Sequence, residues 1–550
     1  MVQRFHINVD ASKAVGKQLR FWNYIGYDEC NYTYHPEGQA LLREFAKLGG
    51  APYYVRTHFM FCDGSCTGTQ KFGSSNICRI DGDGTMSFDF TYYDLMIDAI
   101  VQSGNKPFVE LGFMPRALAD SSRAHGAPKG DLDWYRIDGW TCPPTDYDKW
   151  AQLITAVMKH LVGKYGKEEI ASWYFELWNE PDGSYWSGDV QEYCKLFDYT
   201  EAAIHAVIPE ARVVGPASCG PREGSASWLF LRDFLRHCKD GVNLYDGHIG
   251  TRLDCITFHV KGSFMPFNPT AKKAVPSVSL LLDQVRCGVE LVRAEGYPEL
   301  EIVLSEADPD CWAAGGVRDN PNMVFRNTEY YASYVCTAYE RIDQLAQEYG
   351  MDIKPLAWAF TFPAEECFAG RRTFATQGIA KPVFTMFRVF EQLGDERLAA
   401  SVKVEGRTAE LTHADRDISD PYTGEDEPAA ASVMATRDHQ GDVQIIVGSH
   451  SDDIDRSEHV NMHIDIAGLQ DGRVRVSHDC IDADHSNAYA EWVRRGRPRF
   501  PQGEEYAAIK RRDGLERFEP DRECEVRDGH LTLDLDMPAH AVSYLSIEHL

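Results

Sequence analysis

The strongest constraint on this chain is the segment 172–181, Ser-Trp-Tyr-Phe-Glu-Leu-Trp-Asn-Glu-Pro. Trp173, Tyr174, Phe175, Leu177 and Trp178 run almost without polar interruption and stop at Asn179-Glu180-Pro181. An apolar run without alternation reads as a strand buried on both faces, which belongs in a parallel sheet covered by helices. Proline ends the run and leaves Glu180 just past the strand, at the edge where an α/β barrel assembles its chemistry. For an isolated glutamate, a solvated loop carboxylate is the ordinary reading. Here a second segment argues against it: Leu300-Glu301-Ile302-Val303-Leu304-Ser305-Glu306 is another short apolar run ending in Glu, followed by Ala307-Asp308-Pro309. Two strand-end glutamates, one preceded by Asn, are what retaining glycoside hydrolysis needs, a protonated acid and an ionised nucleophile about 5 to 5.5 Å apart.

Strand and helix patterns alternate around these two segments. Strands are expected at 52–58, 106–112, 211–215, 254–259, 301–306 and 355–361, and helices at 41–48, 92–103, 148–165, 193–207, 227–238, 276–295, 327–348 and 382–393. About eight strand-helix units over residues 21–397 predict an α/β fold, a (β/α)8 TIM barrel. From 398 to 550 the texture changes to short alternating runs, at 402–408, 430–436, 443–448, 460–466, 473–479, 531–535 and 541–547. These predict a C-terminal β-sandwich accessory domain, with a helical insertion at about 485–515. Residues 1–20 carry one alternating strand, at 4–10, that a parallel barrel does not need and that is expected to join the accessory domain. No carboxylate in the C-terminal part ends a buried strand, so no chemistry is assigned to it.

A chain of 550 residues is long enough for two cores, one of them large. Its formal charge of -28 argues against nucleic-acid and anionic-membrane partners, because phosphates repel a net negative surface. No stretch approaches the roughly 20 apolar residues of a membrane helix, and the first residues lack a basic region followed by an apolar one, so a cytoplasmic address is expected. The fifteen cysteines, odd in number and scattered through apolar runs such as those holding Cys255, Cys287 and Cys336, read as reduced thiols. Cys62, Cys66 and Cys78 lack zinc-ribbon spacing, and no metal or organic cofactor is expected. The expected partner is a small oligosaccharide or glycoside; the oligomeric state is left open, a homo-oligomer included.

Asn179-Glu180-Pro181 together with Glu306 resembles the acid/base and nucleophile pair of the large (β/α)8 glycosidase clan. The surroundings resemble glycoside hydrolase family 39, which contains β-xylosidases and α-L-iduronidases. The resemblance extends into the sandwich, through Asn487-Ala488-Tyr489 and the segment 492–501. It implies a barrel with an accessory sandwich and an O-glycosyl hydrolase activity.

On this reading Glu180 is the general acid/base, and its carboxyl must be raised above about 4.3 by desolvation beside Trp178. Glu306 is the nucleophile and must stay ionised, with Arg56 as the neighbouring cation. Asn179 would hydrogen-bond the sugar 2-hydroxyl. His58 and His259, each ending a strand, are read as sugar-hydroxyl ligands, and Trp358 and Phe362 as ring-stacking residues. The segment 254–262 looks like the iduronidase sixth strand, where the lysine corresponding to Lys261 contacts the substrate carboxylate; Asp308, in the iduronidase-like Glu306-Ala307-Asp308-Pro309, is counted with the substrate-binding residues. The interval 362–381 is shorter than the iduronidase loop that carries a gripping Asp and Arg, and its Gly378-Ile379-Ala380-Lys381-Pro382 looks closer to the xylosidases. Glu365, Glu366, Arg371 and Arg372 are candidates for the gripping duties, with Arg371 counted as substrate-binding. The expectation is a retaining, exo-acting hydrolase of a terminal β-D-xylosyl-type residue. An α-L-iduronidase-type uronidase is the near alternative, and a non-catalytic carbohydrate-binding protein the alternative from another class.

Overall fold

Short runs buried on both faces can satisfy their backbone groups only by pairing with one another, and here they close a ring. The computed structural model describes residues 3–66, 73–123, 139–263, 273–358, 361–405, 422–425 and 427–550. After an N-terminal strand β1 (Gln3–Lys17), the barrel is built from β2 (Tyr24–Tyr27), β3 (Tyr54–Thr57), β4 (Lys106–Leu111), β5 (Tyr174–Leu177), β6 (Arg212–Ser218), β7 (Cys255–Lys261) and β8 (Ile302–Asp308). Each pairs in parallel with the next. The eighth position is split at Leu356: β9 (Ile353–Pro355) pairs with β8, and β10 (Ala357–Trp358) pairs with β2. The Leu356 N–H donates to Leu304 at 2.9 Å and carries the ladder across the break. The barrel strand expected over 355–361 is therefore short and divided, and residues 359–360 lie outside the described residues.

Amphipathic helices cover the barrel, several with side-chain caps. Asp189 opens Val190–His205 with a capping box that also uses Glu192, and Asp146 accepts from the backbone N–H groups of Asp148 and Lys149 at the start of Tyr147–Tyr165. Gly26 sits opposite Trp358 in the β2/β10 register, and a Cβ there would come within 2.4 Å of the indole. The missing side chain is what lets Trp358 lie across β2 and face the barrel mouth.

The second sheet has nine strands, with β1 between Glu396–Val404, antiparallel, and His459–Ala467, parallel. Its strands alternate buried and exposed residues, as in His530–Pro538 and His459–Ala467, which gives an apolar core of Ile, Val, Leu and Met. The expected helical insertion is present as Ala488–Arg494 and Gly503–Lys510. The strand Glu516–Val526 has no counterpart in the sequence reading. It is an edge strand whose Glu, Asp and Arg side chains hide any alternation, the charged composition that keeps an edge from pairing with other chains. The expected strand at 402–408 is observed as Glu396–Val404, and residues 406–421 lie outside the described residues.

The helix Glu329–Tyr349 joins the two units by packing on the sandwich strands Ala430–Arg437, Val443–His450 and Ala541–His549. None of the fifteen cysteines forms a disulfide, and Cys62, Cys66 and Cys78 are among the buried ones. Among the described residues no helix is long and apolar enough to cross a membrane.

Candidate active site

The cavity at the carboxyl ends of the barrel strands has a volume of about 300 Å³, at the lower end of small-molecule sites. Glu180 and Glu306 both line it, with His58, Asn179, His259, Lys261, Trp358 and Arg372.

Glu180 reaches the mouth because the chain turns sharply after β5. Trp178 and Glu180 both take positive φ, 68° and 44°. A bulky residue in this left-handed region costs on the order of 1–3 kcal/mol, so the turn needs support. The N–H groups of Trp178 and Glu180 supply it, donating to Leu111 O at 3.3 Å and Ala217 O at 2.8 Å on the neighbouring strands. The Trp178 indole packs against Phe113 and Trp186 and donates to Tyr185 O.

Glu306 lies within β8, where a bulge between Leu304 and Glu306 resets the register so that Glu306 faces His259 and Asp308 faces Lys261. The Lys261 ammonium donates to Glu306 Oε2 and to Asp308 Oδ2, each at 2.5 Å. On the other side, Arg56 Nη1 and His58 Nε2 each lie 3.4 Å from Glu306 Oε1. Burial alone would push the Glu306 carboxyl up, but the charges of His259 and Lys261 and the His58 contact hold it well below the usual carboxylate range.

Arg56 is fully buried and holds more than Glu306. Its guanidinium also donates to Glu176, to Asn179 Oδ1 at 3.0 Å, and lies 3.2 Å from Glu110. Arg56 thus fixes the amide expected to meet the 2-hydroxyl and is not itself among the residues that line the cavity. Glu110 and Glu176 were missed in the sequence reading, although a signal was there: each is a lone acid in an apolar strand, and the two face each other in the β4/β5 register. His58 donates to Glu110; burial pulls its imidazole down, but Glu110 and Glu306 carry it up to about 10. Its two ring nitrogens thus face Glu110 and Glu306, and the ring that was read as a sugar-hydroxyl ligand lines the cavity.

His259 connects the two catalytic candidates. Its Nδ1 lies 2.9 Å from Glu180 Oε1 and 3.7 Å from Glu306 Oε2. One atom from each of Glu180, His259 and Glu306 falls within 4.8 Å of the other two. Such a trio could hold a cation, but Lys261 and Arg56 already neutralise Glu306, so the donor set does not ask for one. The expected upward shift of Glu180 is not what this geometry gives. Burial and the Glu306 charge push its carboxyl up, yet the His259 hydrogen bond and charge outweigh them and hold it below its ordinary value.

Two further placements differ from expectation. Asp308 does not face the cavity: it is fully buried, with Lys261 and Arg372 on one oxygen and the Trp358 N–H on the other at 2.8 Å. Arg371 points away, its guanidinium over the Phe362 ring at 5.1 Å, while its neighbour Arg372 lines the cavity. Phe362 is not among the cavity residues either; Trp358 is, and it packs on His58 with ring centroids 4.5 Å apart.

The model of the family described as glycosyl hydrolases family 39 matches residues 5–516. A beta-xylosidase of Geobacillus stearothermophilus is 26% identical over 90% of this chain and 86% of that protein. The alpha-L-iduronidase of Homo sapiens is 24% identical over 92% of this chain and 73% of its own length. Among solved structures, a monomeric beta-xylosidase from Caulobacter crescentus CB15 superposes with a TM-score of 0.74 at 23% identity, covering 99% of both chains.

Proposed function

The chain belongs to glycosyl hydrolases family 39, a glycoside hydrolase with β-xylosidases and α-L-iduronidases among its relatives, and on that premise we propose that it is a retaining, exo-acting enzyme that removes a terminal β-D-xylosyl-type residue. The observation that carries the mechanism is the approach of Glu180 and Glu306 oxygens to within 4.8 Å. Retaining enzymes hold their carboxyl groups about 5–5.5 Å apart, whereas inverting ones leave about 6.5–9.5 Å for a water between them.

In the first step the ionised Glu306 attacks the anomeric carbon while the protonated form of Glu180, the minor form near neutral pH given its lowered carboxyl, gives its proton to the departing oxygen, which leaves a glycosyl ester on Glu306. Esterification removes the Glu306 charge, one of the influences that push Glu180 up, so Glu180 falls further and is suited to take the proton of the incoming water. Asn179, held by Arg56, is placed for the 2-hydroxyl, and Trp358 for the ring face.

The charge balance favours a xyloside over an iduronide. Lys261 and Arg372 flank the cavity, but Lys261 is held by Glu306 and Asp308, and Arg372 by Asp308, Asp310 and the Trp358 carbonyl. A substrate carboxylate would have to compete for donors already bound to carboxylates. Fifteen cysteines with no disulfide among them favour a reducing, cytoplasmic setting and a small imported glycoside. Initial rates on nitrophenyl β-xyloside, arabinoside, galactoside, glucuronide and an iduronide test the substrate. Proton NMR of the first-formed sugar tests the stereochemistry. A rate on the iduronide far above the xyloside overturns the substrate, and an inverted product overturns the mechanism.

A further inference from the structure

The loop that follows β10 serves two cavities. Arg372 lines the catalytic one, while Phe362 and Glu365 line a second, of about 620 Å³ against about 300 Å³. The second cavity opens between the helix Pro36–Ala46, the helix Pro382–Phe390 and the helical insertion of the sandwich, which contributes Phe500. Phe362 lines the second cavity and not the first; its ring meets Tyr32 edge-on at 5.7 Å, and the Arg371 guanidinium lies over it at 5.1 Å.

Glu365 is the unusual residue here. It is 5% exposed, and neither carboxylate oxygen has a hydrogen-bond partner. A buried carboxylate in that condition destabilises a fold, so groups of this kind ask for a function or a ligand. Burial pushes its carboxyl up to about 7, with Lys381 and Arg371 opposing. Lys381 does not bond to it; its ammonium donates to the Arg371 carbonyl at 2.9 Å. Of the other charged residues that line the cavity, Arg388 donates to the Asp513 carbonyl, Lys510 to Asp513 and Gly378, and Glu44 accepts from Lys47, while Glu37 stands on the same helix as Glu44. The lining holds Glu37, Glu44 and Glu365 against Arg388 and Lys510, so it offers no surplus of positive charge to an anion, whereas a neutral ligand rich in hydroxyls would supply the donors that Glu365 lacks.

We infer that this second cavity binds a neutral sugar, a pair of its hydroxyls donating to the two oxygens of Glu365 and an apolar ring face lying on the aromatic wall of Phe362 and Phe500. The choice of a sugar rests on the reading of the chain as a glycosidase; the need for donors at Glu365 does not. The test is calorimetric titration of Glu306→Gln enzyme, blocked in turnover, with xylotriose. Two binding events per chain are expected. Adding Glu365→Gln, or separately Phe362→Ala, weakens one event at least tenfold and leaves the other within twofold. In otherwise wild-type enzyme Glu365→Gln leaves nitrophenyl β-xyloside turnover within twofold and does not lower the melting temperature, as removal of an unpartnered charge predicts. Loss of the Glu365-insensitive event alone counts against the catalytic reading and leaves this one standing. An isotherm with no component sensitive to both substitutions overturns it, as does a Glu365-dependent site that takes ethylamine in preference to xylotriose.

Discussion

The floor of the barrel and the core of the sandwich hold their shape by opposite means. Beneath the cavity Arg56, His58, Glu110, Glu176, Lys261, Glu306 and Asp308 are all buried, and the network is knitted by ion pairs across β3, β4, β5, β7 and β8. In the sandwich Ile7, Ile464, Ile466, Leu533 and Leu545 belong to one apolar cluster, and along His530–Pro538 the charged Asp534 and Asp536 take the exposed positions. A buried ion pair is a weak source of stability, because desolvation cancels most of its attraction. Its presence under one cavity and absence from the other core shows that the barrel floor is arranged for chemistry, while the sandwich is arranged for packing.

The sharpest way to break that contrast is at the nucleophile. Glu306→Gln should lower kcat/KM on nitrophenyl xyloside by about 10⁴-fold or more while circular dichroism stays native. With Glu306→Ala, added azide should yield a glycosyl azide of inverted configuration; turnover without azide near the wild-type rate would remove Glu306 from the mechanism. Glu180→Ala should cost about 10²–10⁴-fold. The loss should be smaller on nitrophenyl than on alkyl glycosides, because a good leaving group needs little protonation, and azide should here give the retained product. An equal loss on both leaving groups would argue against an acid role.

Stability measurements sharpen the comparison next. Arg56→Met leaves Glu110, Glu176 and Glu306 without their shared cation and should cost about 3–5 kcal/mol in denaturant unfolding, with activity lost as well. Ile464→Ala, in the sandwich core, should cost about 2–5 kcal/mol yet leave kcat per folded molecule unchanged. A large fall in kcat there would show that the sandwich supports the chemistry.

Between the two regions, pH gives a smaller effect. His540 packs on Tyr330 at the junction, and burial, with help from His450, pulls its imidazole down to about 3. Its folded value lies below the unfolded 6.5, so its contribution is complete above 6.5 and is lost as pH falls toward 3, a few kcal/mol in all. His540→Asn should therefore lose less melting temperature between pH 7 and pH 4 than the wild type. The smallest expected change is in the pH profile. Glu180 sits below its ordinary value because of His259, so His259→Gln should move the alkaline limb of kcat/KM to higher pH. A limb that stays in place would show that His259 does not govern the Glu180 proton.

That two strand-end glutamates face one cavity, and that a barrel and a sandwich form, was legible in the sequence because each rests on local information. A run of apolar residues fixes burial on both faces, strict alternation fixes burial on one, and an acid next to a strand end is marked by its neighbours. The sequence went furthest astray where side chains meet from distant strands. Arg371 and Arg372 are indistinguishable by pattern, and the turn that holds them decides which one faces the cavity. Glu180 was expected to be raised by apolar neighbours on its own strand, but His259, 79 positions along the chain, sets the direction. Asp308, read as a substrate contact, lies outside the cavity and binds Lys261, which was read the same way and lines it. Periodicity is a property of the chain, whereas the field at a carboxylate is a sum over whatever the fold brings within a few ångströms, and only the closed barrel determines that sum.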